Sequence, residues 1–163
     1  MSIETRMSVD SEVSGMTYAA RIAYMVLAWL FVVALLAQVY LIGLVFLAAQ
    51  PTLDAHVGFG HTVGILLLPM LILTYVARHP RSLKVRTWGL FGIYILQAEV
   101  FAIIRESLPV VAALHPVLAL ALFGMSVSVA LRAGAYVRRD VASPMVAPRP
   151  TESTQGLGEG PRL

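Results

Sequence analysis

The chain has 163 residues, of which 58% are apolar and only 13% charged, where soluble domains carry about a quarter charged. That length suits one domain, and that balance points to a bilayer rather than a water-facing surface. Cysteine is absent, which excludes disulfides, zinc–thiolate and iron–sulfur sites and thiol nucleophiles; the net charge of +3 is spread along the chain and offers no nucleic-acid patch.

Residues 1–17 are mixed and polar and read as a short unstructured tail. The first apolar run covers residues 22–49 and contains one strongly polar residue, Gln38. It exceeds the roughly 20 residues that a membrane helix needs, so it should tilt. Gln50-Pro51 ends it, because proline disfavours helical geometry in the residue before it. The second run covers 55–77, with Thr52 or Asp54 as candidate caps and a kink expected at Pro69. The third covers 87–104 and holds Gln97 and Glu99, with Arg105 and Glu106 closing it. The fourth covers 109–131, with Pro116 directly after His115, and ends at Arg132. Residues 140–163 are rich in Pro, Gly, Ser and Thr, and such a segment should stay disordered.

These runs predict an all-α protein, an integral membrane up-down-up-down four-helix bundle over 18–139. Of the twelve Lys and Arg residues, eleven fall on one side of that topology and only Arg105 on the other. The positive-inside rule then puts both termini in the cytoplasm, with the chain in the cytoplasmic (plasma) membrane.

The same topology brings three of the four histidines to the outer side. His56 and His61 open the second span, and His115 opens the fourth. His79 falls in the cytoplasmic basic loop and reads as a surface residue. Depth favours His61 as the mate of His115. Seventeen residues separate each from the inner arginine of its span, against 22 for His56, which sets His56 about 7 Å further out. Faces favour His56. His56, Gly60 and Gly64 form one stripe, as do His115 and Ala119, and His61 points about 140° away from His56. A histidine above small residues leaves room for a flat porphyrin; a close helix-packing stripe gives the same pattern.

Neutral imidazole is a good ligand for iron, copper and zinc, and ionisable groups inside a membrane are costly enough to be functional candidates. Two opposed histidines with apolar walls suit a six-coordinate haem b. A zinc site needs four ligands in tetrahedral array, and Asp54, His56, His61 and His115 form such a set only on paper. Gln97, Phe101 and Arg105 share a face. Arg105 is either a partner for a haem propionate or a snorkelling anchor. Glu99 lies on another face, as a proton relay to a quinone or as a group bonded to a neighbouring helix. Gln38 reads as glue between helices.

The segments "DAHVGFGHTVGILLL", "YILQAEVF" and "VAALHPVLALALF" resemble an uncharacterised group of small four-span prokaryotic membrane proteins, over the spans and not the tails. Their order is also similar to one four-helix half of haem A synthase. In that family a His followed four residues later by Gly opens the second helix, a Gln lies in the third and the His of "ALH" opens the fourth. The resemblance falls on His56 with Gly60, on Gln97 and on His115, and it shifts the ligand choice from His61 to His56. The family's Arg directly after its first His is Val57 here, its Glu four residues before is Thr52, and its second half has no counterpart. The resemblance implies a haem-holding bundle without haem A synthesis.

The expectation is therefore one haem b near the outer face, held by His56 and His115, with His61 in reserve and Gly60, Gly64, Ala119, Gln97 and Arg105 around it. It would take part in electron transfer with a quinone or a redox partner protein, as a monomer or a homo-oligomer. The alternatives are a non-catalytic accessory or packing subunit without cofactor, and a protein that handles a metal or small solute.

Overall fold

The structure is a computed structural model and describes residues 3–142. Helix α1 runs over Ile3–Leu47. It begins well before the apolar run, so residues 3–17, expected to be an unstructured tail, extend it. The stretch holds no proline and one glycine, Gly15. Ala49 then takes a φ of 50°, and the Gln50 N–H returns to the Leu44 carbonyl at 3.0 Å, a left-handed closure of the kind that ends helices.

The second leg consists of α2 (Leu53–Val63), a 3₁₀ turn (Gly64–Leu66) and α3 (Leu67–Val76). The irregularity expected at Pro69 lies one turn earlier. Proline lacks the N–H that would bond the carbonyl four residues back, and its ring crowds that carbonyl; in this leg that residue is Ile65, inside the 3₁₀ turn.

The third leg is α4 (Arg81–Ile95), a π turn (Leu96–Val100) and α5 (Phe101–Ile104). The fourth is α6 (Pro109–Ala112) followed by α7 (His115–Ala142). The fourth was expected to be continuous, but it breaks just before His115. Pro116 cannot bond the Ala112 carbonyl, and α6 ends at Ala112. Residues 140–142, expected to be disordered, complete α7; the rest of that expected tail lies outside the described residues.

The described residues contain no strand. Three helices, over Gly15–Leu47, Leu53–Val76 and Pro109–Val141, are long and apolar enough to cross a membrane. The third leg is not among them; Arg81, Lys84 and Arg86 occupy its first turns, and Gln97 and Glu99 lie further along it.

Helix α1 packs along α7, α2 and α3, and α4 packs against α3 and α7. The second and fourth legs therefore stand diagonally, with the first and third between them. The core joins Tyr24, Phe31, Leu67, Met70, Leu90 and Val129, all fully buried. It lies toward the end that carries the basic turn between α3 and α4. Toward the other end the interior positions become polar, and there the candidate site lies.

Candidate cofactor site

Gln38, His56, Gln97 and His115 come from four different legs and meet above the apolar core. Their presence follows from the two breaks that precede or contain them. The fracture at Ala112 starts α7 at His115, and the π turn carries Gln97 inward, where it is buried. The rings of His56 and His115 stand 6.5 Å apart between centroids, at 69° to one another. Phe101 lies against the His115 ring at 6.4 Å.

The hydrogen bonds orient both imidazoles. His56 Nδ1 donates to the Gln38 carbonyl at 3.1 Å, and in the neutral ring the lone pair then sits on Nε2. His115 Nε2 accepts from the Gln97 side-chain amide at 3.4 Å, a long contact, and so also holds its lone pair on Nε2. The amide oxygens of Gln38 and Gln97 are buried without a hydrogen-bond partner. Buried polar atoms are rarely left so, and two of them lie beside the two imidazoles.

His61 does not join this group. Its Nδ1 meets Glu99 Oε1 at 2.8 Å on the outside of the bundle, with both side chains nearly half exposed. The structure thus pairs His56, not His61, with His115, and face outweighs depth. The zinc set also falls apart: among the described residues no three His, Cys, Asp or Glu side chains converge as a metal group.

The glycine stripe is filled. Gln38 reaches over Gly60, and the Tyr94 ring lies directly against Gly64, so neither glycine presents an open flat face. The Tyr94 hydroxyl donates to the Gly60 carbonyl at 2.6 Å and accepts the Gly64 N–H at 3.0 Å. Sequence reasoning missed Tyr94, and Gly64, spaced one turn from Gly60, was the only hint of a ring there. Ala119 is half-buried one turn beyond His115. Arg105 is exposed in the turn after α5, at a helix end as an anchor would be.

His79, expected on the surface, is buried, with 2% of its area exposed. Arg21 explains this. It donates to the Ala77 carbonyl at 3.1 Å and forms a two-pronged bridge to Asp140 at 2.6 and 2.8 Å, which draws the turn between α3 and α4 against α1 and α7. Arg78 adopts a φ of 50°, and the His79 N–H returns to the Thr74 carbonyl. The ring lies between Tyr24, at 4.8 Å, and Tyr136, at 5.6 Å. Its pKa is lowered from 6.5 to about 4, chiefly by burial and next by the Arg21 charge, with Asp140 opposing and Lys84 adding to the shift.

A bond from metal to imidazole nitrogen is about 2.0–2.1 Å, so a metal held between two imidazoles keeps their centroids roughly 6 Å apart. The spacing of His56 and His115 matches that, and ligation by His115 Nε2 would displace the Gln97 amide that donates to it. A metal-binding His commonly donates its other ring N–H to a backbone carbonyl, as His56 does. In donor set and spacing the residues fit an axially ligated haem. Room for the macrocycle requires the Gln38 amide, the far end of a flexible side chain, to swing off Gly60.

Residues 38–103 match a family of unknown function (DUF6220), a stretch that takes in Gln38, His56, His61, Gln97 and Glu99 and stops short of His115. No curated protein and no solved structure matches the chain.

Proposed function

We propose that the chain is an integral membrane protein that holds one haem b between His56 and His115 and takes part in electron transfer near the outer face of the cytoplasmic membrane. The observation that carries this reading is the pair of imidazoles on diagonal legs, 6.5 Å apart between ring centroids. The likeness to half of haem A synthase supports it, because that likeness falls on His56, Gln97 and His115. The three membrane-length helices and the one-sided distribution of Lys and Arg support the four-span topology with cytoplasmic termini.

Haem with two axial histidines supplies one-electron transfer. The chain's own residues do the holding. The Gln38 carbonyl fixes the His56 ring, Phe101 walls one side of His115, and the Gln97 amide would leave His115 Nε2 for that nitrogen to take the iron. A single site at one end of the bundle does not carry electrons across the bilayer, so the reading includes a quinone, a redox partner protein or a second copy of the chain.

Expression with ample haem, followed by pyridine haemochrome analysis of the purified protein, is expected to give one haem b per chain. A folded preparation without haem contradicts the reading. In that case the filled stripe favours a second reading, an accessory subunit whose histidines only join helices: Gln38 over Gly60 and Tyr94 on Gly64 are close packing of the kind membrane helices use.

A further inference from the structure

We propose that His61 and Glu99 form a docking site for the head group of a lipid-borne hydroquinone. Ionisable side chains in membrane segments ordinarily face the bundle interior. These two face outward, side chains 45% and 47% exposed, and bond to each other at 2.8 Å.

The backbone is rearranged on both sides of the pair. The 3₁₀ turn of the second leg starts three residues after His61, and the π turn of the third leg contains Glu99. Turns of both kinds inside helices often mark functional places. Here the π turn serves two directions at once, with Gln97 on His115 inside and Glu99 on His61 outside. Tyr94 pins the two distortions together through the Gly60 carbonyl and the Gly64 N–H.

The chemistry selects the ligand. His61 Nδ1 pairs with Glu99 Oε1, which leaves His61 Nε2 and the carboxyl group to meet a ligand hydroxyl. One turn to either side on each helix lie Val57, Ile65, Ile95 and Ile103, all exposed. The site is therefore an acid–base pair within an apolar surface, facing lipid. Its ligand arrives through the bilayer, is largely apolar and carries a weakly acidic hydroxyl, and a hydroquinone has all three properties. A phospholipid head group would set its phosphate against the Glu99 carboxylate. The ligand's service as an electron donor rests on the haem reading; the docking itself does not require haem.

The test is equilibrium binding of decyl-hydroquinone, kept reduced under argon, to haem-free and haem-loaded protein in lipid nanodiscs. One saturable site is expected in both preparations. His61→Phe and Glu99→Leu should each weaken it at least tenfold, with helicity checked by circular dichroism. The dimethyl ether of the same molecule, which has no hydroxyl, should bind wild-type protein at least tenfold more weakly, and this comparison needs no variant to fold. Equal binding of the ether, or binding unchanged in both variants, overturns the proposal. So does efficient cross-linking of Glu99→Cys between two copies of this cysteine-free chain, which marks the face as a protein contact. Absence of haem leaves the docking result standing, and failed docking leaves the haem result standing.

Discussion

The hydroxyl end of the Tyr94 ring lies against Gly64, and its hydroxyl accepts the Gly64 N–H at 3.0 Å while donating to the Gly60 carbonyl at 2.6 Å. One side chain of the third leg thus fills the irregular turn of the second. The Gly60 carbonyl and the Gly64 N–H both find a partner in the same hydroxyl.

The two glycines should therefore respond differently to a methyl group. At Gly64 a Cβ would collide with the Tyr94 ring, which is buried and held by the hydrogen bonds of its hydroxyl to Gly60 and Gly64. At Gly60 it would meet the end of the Gln38 side chain, which can turn away. Gly64→Ala is expected to cost about 1–3 kcal/mol, the usual penalty for overpacking, and Gly60→Ala less than about 1 kcal/mol. Thermal unfolding in mild detergent compares them. Equal losses would show that Tyr94 is not the obstacle.

His79 should make the folded chain sensitive to acid. Its pKa falls from 6.5 to about 4 on folding, so the unfolded chain takes up a proton that the folded chain refuses. Above pH 6.5 the residue is neutral in both states and contributes no pH dependence. Between pH 6.5 and pH 4 stability should fall, by up to about 3 kcal/mol at the lower limit. His79→Phe keeps the aromatic contacts with Tyr24 and Tyr136 and removes the two unpartnered ring nitrogens. It should flatten that part of the profile and leave stability at neutral pH equal or higher, since a buried unsatisfied polar group is costly. A variant with the wild-type acid slope would place the titration elsewhere.

Gln97 should tune the site without being indispensable to it. Its amide meets His115 Nε2 at 3.4 Å and its oxygen lacks a partner. Gln97→Leu removes both, and is expected to retain haem while shifting the reduction potential and altering the haem dissociation rate severalfold, as changes around a metal ligand do. A redox titration and a haem-transfer assay measure these. Wild-type values in both would detach Gln97 from the site.

The four legs were legible in the sequence because apolar runs and punctuating charges announce them directly. The diagonal meeting of His56 and His115 followed from topology and from the four-residue spacing of His56 and Gly60. Depth misled on His61, because counting residues along straight helices ignores the 3₁₀ turn, the π turn and the fracture before His115. The burial of His79 was hidden for another reason. The sequence shows a histidine among basic residues, but its fate is decided by Arg21 and Asp140, which are 119 residues apart. Tyr94 was invisible in a similar way, since its value lies in the glycine opposite it. The N-terminal extension of α1 is not marked by an apolar run, because residues 3–17 are polar and helix formation needs no apolar face at each turn.

The central claim is that His56 and His115 together hold a haem. Visible absorption of the purified protein in mild detergent tests it most directly, with His56→Ala, His115→Ala and His61→Ala compared at equal helicity. The expected result is a Soret band with the sharp α band of low-spin haem b on reduction, lost or strongly altered in both His56→Ala and His115→Ala and retained in His61→Ala. A colourless, folded wild-type protein grown with ample haem, or a band that only His61→Ala abolishes, would contradict it.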